Sequence, residues 1–233
     1  MVRAAGHRDG VNFRQLHRSI FLKAARGAEY QGPHMRFNRT WFRREVAPML
    51  LLLLLITAAR SSFADHYYVP SGSMENTLFA GDRVVVDKTA YGWRFPYTKI
   101  DLVEGARPQA GEVAVFDSPA DGVLLIKRIV ATGGQVVSMR DGNLVVDGVA
   151  LSASGVRSRE VFGEHVAELN LADGGGPPID RLVVPPGKLL AIGDHRGNSL
   201  DARYWGLIDE RELYGRAVAV YFRKGDGFVW KPL

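Results

Sequence analysis

The chain of 233 residues contains no cysteine, which excludes disulfide bonds, thiolate metal sites and a thiol nucleophile. It also lacks the phosphate-binding loops GxxxxGK[ST] and GxGxxG, and it has no HExxH or paired-histidine zinc motif. We therefore expect neither a metal nor a nucleotide cofactor. A nucleophile in this chain has to be a hydroxyl, an amine or a carboxylate.

Excess positive charge is confined to the N-terminal segment. Residues 1–45 hold ten Lys or Arg against three acidic residues, a net +7, whereas the rest of the chain holds twenty against twenty-two, a net −2. The overall charge of +5 therefore indicates no nucleic-acid-binding face on the following domain. Residues 1–34 are polar and interrupted by glycine and proline, so we expect them to be disordered.

Long apolar runs are absent except at residues 46–59, fourteen uncharged residues that include six consecutive leucines. A membrane span usually takes about 20 residues, so a secretory signal peptide with a cleavage site at Ala58-Ala59 competes with a short signal anchor. A third alternative, a buried core helix, is disfavoured because the run is too uniformly apolar. We favour a single transmembrane anchor over residues 46–63.

The arginines before this run predict its orientation. Arg43 and Arg44 directly precede it, and the positive-inside rule keeps such a segment in the cytoplasm. We therefore expect residues 64–233 to form a domain on the extracytoplasmic side of the membrane, and the lipid bilayer is an expected partner. The sequence from Met35 is a complete membrane-entry signal by itself, so Met1 and Met35 both remain candidate start sites.

From Val69 onward, β-branched runs bounded by Gly, Asp and Pro predict strands. These runs are 83–88, 112–117, 123–130, 135–139, 143–148, 181–194 and 214–223. Asp141-Gly142 predicts a hairpin between two of them. Because βαβ alternation is missing, we predict a mainly β fold, an antiparallel mixed-β domain. The Gly- and Ser-rich residues 152–180 are expected to form a loop-rich, mobile insertion.

Ser73 is a candidate nucleophile because it follows Gly72 in the segment YYVPSGSMENTL, residues 67–78. Glycine allows the backbone to turn and lets a substrate backbone approach closely. Taken alone, Ser-Gly-Ser is more often a simple turn. A lysine within a later apolar strand favours a catalytic role for Ser73.

Lys127 interrupts the apolar run VLLIKRIV and should share a strand face with Leu125 and Ile129. Desolvation lowers the pKa of an amine on such a face from about 10.4, and a neutral amine can accept the proton of a serine hydroxyl. The alternative is that Lys127 extends off a sheet edge into water, and the strand by itself favours neither.

A third polar stretch, GDHRGNSLDARYWG at residues 193–206, follows the apolar strand KLLAI. Ser199 could hydrogen-bond a lysine amine and orient it, while Asp201 and Arg203 could face the same way or pair with other loops. A plain polar connection is the alternative. A Ser–His–Asp triad has little support, because Asp194 and Arg196 beside His195 look structural.

Four segments together resemble the bacterial type I signal peptidases, membrane-anchored serine proteases with a Ser–Lys dyad. They are PSGSMENTL (70–78), GDRVVVDKTAYG (81–92), IKRIV (126–130) and GDHRGNSLDARYWG (193–206), and they occur in the family's order. The resemblance spans roughly residues 58–206. It implies a protease that removes signal peptides from exported pre-proteins after small residues, at Ala-x-Ala sites.

The resemblance also implies the roles of individual residues. Ser73 is the nucleophile, Lys127 the general base, and Ser71 donates to the oxyanion hole alongside the Ser73 backbone N–H. Ser199 orients the Lys127 amine. The remaining supporting positions are Asp201, Arg203, Met74, Arg128 and Gly193. We expect an extended substrate to add to strand edges, with walls formed by Val69, Pro70 and residues 123–126, including Val123 and Leu125.

The chain departs from the family pattern at four positions, one of which is Ala202, where serine is usual. Asn76 stands where proline is usual, which should loosen the turn after Ser73. His195 replaces an asparagine, and Gln135 replaces an aspartate in the loop after the lysine strand. None of these changes removes a residue of the dyad.

Three other functions compete with general signal-peptide removal. A self-cleaving Ser–Lys protease of the SOS-repressor type would carry a DNA-binding module, for which residues 1–45 are too short and irregular. A dedicated peptidase that matures conjugation or pilus proteins is a closer alternative. A catalytically silent, membrane-tethered β-domain scaffold is disfavoured because each proposed catalytic side chain is present. We expect the enzyme to be monomeric.

Overall fold

The computed structural model describes residues 39–62, 64–94, 101–153 and 156–233. The predicted disordered tail, residues 1–34, lies outside these ranges. The chain divides into two compact units, residues 1–51 and 52–233.

The leucine-rich run is helical. The helical elements are α1 (Arg39–Trp41), a π-helical turn (Phe42–Val46), α2 (Ala47–Ser62), α3 (Ala202–Trp205) and a 3-10 turn (Glu210–Glu212). Each residue from Leu50 to Ile56 is between 49% and 61% exposed. Of the helices in the described ranges, none meets the length and hydropathy needed to cross a membrane.

The rest of the described chain is built from short strands, as predicted. They are β1 (Ala64–Tyr68), β2 (Arg83–Asp87), β3 (Gly92–Arg94), β4 (Asp101–Glu104), β5 (Val113–Asp117), β6 (Leu124–Thr132), β7 (Val136–Arg140), β8 (Asn143–Val146), β9 (Val149–Ala150), β10 (Arg159–Phe162), β11 (His165–Glu168), β12 (Ile179–Val183), β13 (Lys188–Ile192), β14 (Ile208–Asp209), β15 (Leu213–Arg223) and β16 (Gly227–Pro232). The mainly β fold class is therefore confirmed.

An eight-stranded sheet carries the site. Its order is β1-β2-β15-β5-β6-β13-β14, with β16 added beside β15, and its paired strands are antiparallel. A second, four-stranded sheet has the order β12-β7-β8-β9. The hairpin predicted at Asp141-Gly142 joins β7 to β8, and positive φ angles of 48° and 80° at these residues fit that tight turn.

Strand β6 runs through the core, which explains its mixture of apolar and basic residues. Leu125 and Ile129 pack in one buried cluster and Ile126 in another, because successive side chains point to opposite faces. Lys127 and Arg128 are 3% and 2% exposed. The alternative in which Lys127 extends into water is therefore wrong.

The insertion is more ordered than the sequence indicates. Residues 152–180 contain the β10–β11 hairpin and the start of β12. Phe162 and Leu169 join the main cluster, and the fully buried Glu160 pairs with Arg196 at 2.5 Å. The sequence pattern misses this because the partner of Glu160 lies 36 residues away.

Candidate active site

Ser73 lies in a compact turn that is fixed to the core. Glu75 N donates to Gly72 O at 3.0 Å, and Leu78 N donates to Met74 O at 2.7 Å. Met74 and Leu78 are fully buried. A Cβ on Gly72 would meet the Glu75 carboxylate, so the Glu75 side chain packs directly against the backbone at Gly72. The turn therefore holds the Ser73 hydroxyl in one place.

The Lys127 amine reaches this turn from β6. Its Nζ lies 2.5 Å from Ser73 Oγ. Burial lowers the pKa of Lys127 from 10.5 to about 8, although the Asp201 and Asp194 carboxylates act in the opposite direction. At pH 7 roughly one molecule in ten then carries a neutral amine, against one in a few thousand at the ordinary pKa. The contact therefore joins a hydroxyl to an amine that can accept its proton.

Arg128 also lies on β6, and its side chain binds two other segments of the chain. Its guanidinium binds Asp194 through two contacts, at 2.9 and 2.7 Å, and donates to Gly111 O at 2.6 Å. Thr77, three residues after Met74, donates to Asp194 at 2.6 Å. Both ions are almost fully buried, and such a pair is tolerated because it is hydrogen-bonded throughout. Asp194 and Thr77 were missed as site residues, since their partners are remote in sequence.

Asp201 and Arg203 form a second buried ion pair. The two contacts are 2.7 Å each, from Arg203 Nε to Asp201 Oδ1 and from Nη2 to Oδ2. Asp201 also accepts from Gly193 N at 3.0 Å and caps α3 through Arg203 N at 3.2 Å. This carboxylate therefore sets the backbone of the loop that faces Ser73.

Gly193 and Ser199 pack closely against the backbone of the Ser73 turn. A Cβ on Gly193 would lie 2.5 Å from Ser73 O and would also collide with Ser199 Oγ. The Ser199 hydroxyl is buried and has no hydrogen-bond partner in the described part of the chain. The expected hydrogen bond from Ser199 to the Lys127 amine is therefore not formed here, although Ser199 lies beside the turn.

The other expected site residues differ in exposure. Ser71 is exposed, and its hydroxyl donates to Ser73 Oγ at 3.4 Å. Pro70 and Val123 are exposed, and Leu125 is half-buried. Val69, expected as a substrate wall, is 1% exposed and packs in the core, and its backbone pairs with Asp82 and Gly81. Its side chain therefore cannot line an open cleft.

Asn76 does not loosen the turn, contrary to expectation. Its φ is 79°, a left-handed conformation that asparagine adopts more easily than most residues and that proline cannot adopt. Its side chain donates to Leu169 O at 2.8 Å. Gln135, the other substituted loop residue, accepts from Thr132 N at 2.9 Å and so closes its own turn.

Within the part of the chain that the structure describes, no group of three or more metal-ligating side chains is placed to hold a metal ion. A cleft of about 510 Å³ lies away from the Ser73–Lys127 pair, between the β10–β11 hairpin and the β7–β8 sheet.

The chain is similar to known proteins over most of its length. The family model "Signal peptidase, peptidase S26" matches residues 42–222. Signal peptidase I of Pseudomonas fluorescens is 32% identical over 199 residues, which cover 75% of this chain and 69% of that protein. Probable signal peptidase I-1 of Synechocystis sp. is 30% identical over 185 residues, which cover 78% of this chain and 83% of that protein.

Among solved structures, signal peptidase I of Enterococcus faecalis V583 is 26% identical, with a TM-score of 0.35. The alignment covers 48% of this chain and 97% of that one. The family match over most of the residues, together with the two relatives, identifies the chain as a serine endopeptidase: it belongs to the signal peptidase family, peptidase S26.

Proposed function

We propose that the protein is a membrane-anchored serine endopeptidase that removes N-terminal signal peptides from exported pre-proteins. Ser73 is the nucleophile and Lys127 is the general base. The observation that carries this proposal is the 2.5 Å contact between Ser73 Oγ and a buried amine whose pKa is lowered to about 8.

In the first half of the reaction, neutral Lys127 takes the hydroxyl proton as Ser73 Oγ attacks the scissile carbonyl. The Ser71 hydroxyl and the Ser73 backbone N–H stabilise the resulting oxyanion. The protonated amine then gives its proton to the leaving amino group. In the second half, Lys127 activates a water molecule, which releases the acyl chain from Ser73.

The supporting residues act through the two catalytic groups. Asp201 and Arg203 fix the loop that carries Gly193 and Ser199. Arg128 fixes β6 and the Ser73 turn through Asp194 and Thr77, and buried Met74 anchors the turn. We propose that Ser199 hydrogen-bonds the Lys127 amine only after substrate enters, since its hydroxyl is otherwise unpaired.

The proposed anchor is the leucine-rich segment 46–63, with the N-terminus in the cytoplasm and the peptidase domain on the extracytoplasmic side of the inner membrane. The exposed leucines of α2 and the arginines before them support it. Flanking arginines can lengthen a short span by reaching the interface. An anchor of this kind would keep the enzyme where exported chains emerge.

The proposed substrate is an extended segment with small residues before the cut. Within the described chain, β6 pairs with β5 along Leu124–Arg128, whereas β13 joins only from Arg128 onward. The side of Leu125–Lys127 away from β5 is therefore an open strand edge that could pair with a substrate backbone. We propose that the enzyme acts there as a monomer.

The test is cleavage of a pre-protein with an Ala-x-Ala site by the detergent-solubilised full chain. We expect wild type to cleave, and Ser73→Ala and Lys127→Ala to lose at least about a thousandfold in kcat, as removal of a nucleophile or its base does. Matched controls are Ser138→Ala, at a surface hydroxyl, and Lys188→Ala, on neighbouring β13. Undiminished cleavage by either dyad variant would overturn the mechanism, and no cleavage by wild type would overturn the function.

A further inference from the structure

His195 lies against the backbone of the Ser73 turn and is 4% exposed. Its backbone N–H donates to Ser73 O at 3.1 Å, and its ring Nδ1 lies 3.3 Å from Gly72 O. The side chain therefore touches the peptide unit immediately before the nucleophile. Neither the family pattern, which has asparagine here, nor the Ser–Lys chemistry gives it a role.

Two carboxylates approach the ring from different elements. Glu75, in the Ser73 turn, places Oε2 3.2 Å from Nδ1. Asp173, in the segment after β11, places Oδ2 2.8 Å from Nε2. The Asp173 contact lies off the N–H axis, so it is an ion-pair contact without an aligned hydrogen bond. Because the carboxylates flank opposite ring nitrogens, they do not form a common metal site.

These neighbours determine the charge of the ring. A carbonyl oxygen only accepts hydrogen bonds, so Nδ1 carries a proton. Nε2 lies 2.8 Å from an Asp173 carboxylate oxygen, and a carboxylate oxygen likewise accepts hydrogen bonds. The adjacent charges are already engaged, Asp194 with Arg128 and Arg196 with Glu160. A neutral ring would place a nitrogen lone pair against an oxygen in a buried site.

Further contacts hold residues 169–173 against the Ser73 turn and against the loop that carries His195. Asn76 donates to Leu169 O at 2.8 Å, and the Asn170 side chain donates to Glu75 at 3.3 Å. Asn170 N donates to Asp194 O at 3.0 Å, and Arg196 N donates back to Asn170 O at 3.0 Å. Residues 169–173 therefore pack along the turn, with the His195 ring between them.

We infer that His195, as an imidazolium between Glu75 and Asp173, is a positioning residue that holds the Gly72–Ser73 peptide in line with Lys127. This inference rests on the proposed function. The ion pairs with His195 connect the end of the 152–180 insertion to the nucleophile. Loss of these contacts should allow the turn to shift, and the geometry of proton transfer is sensitive to small displacements.

The test variant is Asp173→Asn, which removes one charge at an exposed position and should not prevent folding. Its control is Asp180→Asn, an exposed carboxylate of the same insertion that pairs with Arg140. We expect Asp173→Asn to lower kcat up to roughly fivefold with little change in KM, because an ion pair with a largely exposed carboxylate contributes a factor of about five at most. The control should retain wild-type kcat.

A second readout does not depend on activity. Ring ¹⁵N spectra of the full chain at neutral pH should show both His195 nitrogens protonated in wild type, and amide exchange at residues 72–78 should be faster in Asp173→Asn.

His195→Asn, which restores the common family residue, should remove the ring signal and reproduce the loss in kcat. A neutral His195 ring, or unchanged kcat and unchanged exchange in Asp173→Asn, would overturn the inference. If wild type cleaved no pre-protein, the proposed function would fail, and the spectra and exchange would still decide the role of His195.

Discussion

At the scale of single residues, the proposed reaction depends on one amine and one hydroxyl that the fold keeps close together. Lys127 is 3% exposed, and burial brings its pKa within reach of neutral pH. Two carboxylates, Asp201 and Asp194, limit this decrease, and each is itself bound by an arginine. The site therefore has an amine that is partly neutral without a histidine relay.

Substitution of Ser199 should change kcat while leaving the free energy of unfolding nearly unchanged. Its buried hydroxyl has no partner in the described chain, whereas the Thr77 hydroxyl contacts both Asp194 and Arg128. Urea denaturation should therefore show Ser199→Ala within about 1 kcal/mol of wild type and Thr77→Val destabilised by about 1–3 kcal/mol.

The same Ser199→Ala variant should lose kcat, because the proposal gives Ser199 a role once substrate enters. If it were destabilised as much as Thr77→Val, the hydroxyl would have a partner that the structure does not contain. If it were stable and fully active, Ser199 would have no part in orienting the amine.

At the scale of elements, β6 and the β10–β11 hairpin show what a sequence pattern can and cannot predict. The β-branched runs predict most strands, and alternation along β6 correctly separates Leu125 and Ile129 from Ile126. The hairpin at 159–168 escapes prediction because Glu160 is a charged residue whose burial depends on remote Arg196. Asn76 is misjudged for a similar reason, since its left-handed turn is supported by Leu169.

Glu160→Gln tests whether this hairpin is part of the core. It leaves Arg196 as an uncompensated buried charge, so we expect the free energy of unfolding to fall by about 3–5 kcal/mol. The control is Glu168→Gln in the same hairpin, where a half-exposed carboxylate pairs with Arg159 and the cost should stay below about 1 kcal/mol. Equal small losses in both variants, measured by urea denaturation, would show that the insertion folds independently of the core.

At the scale of the whole molecule, the site is assembled from segments far apart in the chain. Ser73 comes from a turn near the start of the domain, Lys127 from a central strand and Asp201 from a loop after β13. Composition and motifs predict which segments matter because each carries unusual polar residues beside apolar strands. Composition and motifs do not predict the distances between these site residues, because those distances depend on the antiparallel order of the large sheet.

The pH dependence of kcat/KM for pre-protein cleavage tests the dyad most directly. Lys127 accepts a proton only when neutral, and burial lowers its pKa to about 8, so kcat/KM should rise with pH, with a midpoint near 8, and then level off. Lys188→Ala should leave this midpoint unchanged. A profile that is flat from acid to alkaline pH, or one with a midpoint near about 6.5 as a histidine base would give, would contradict the account.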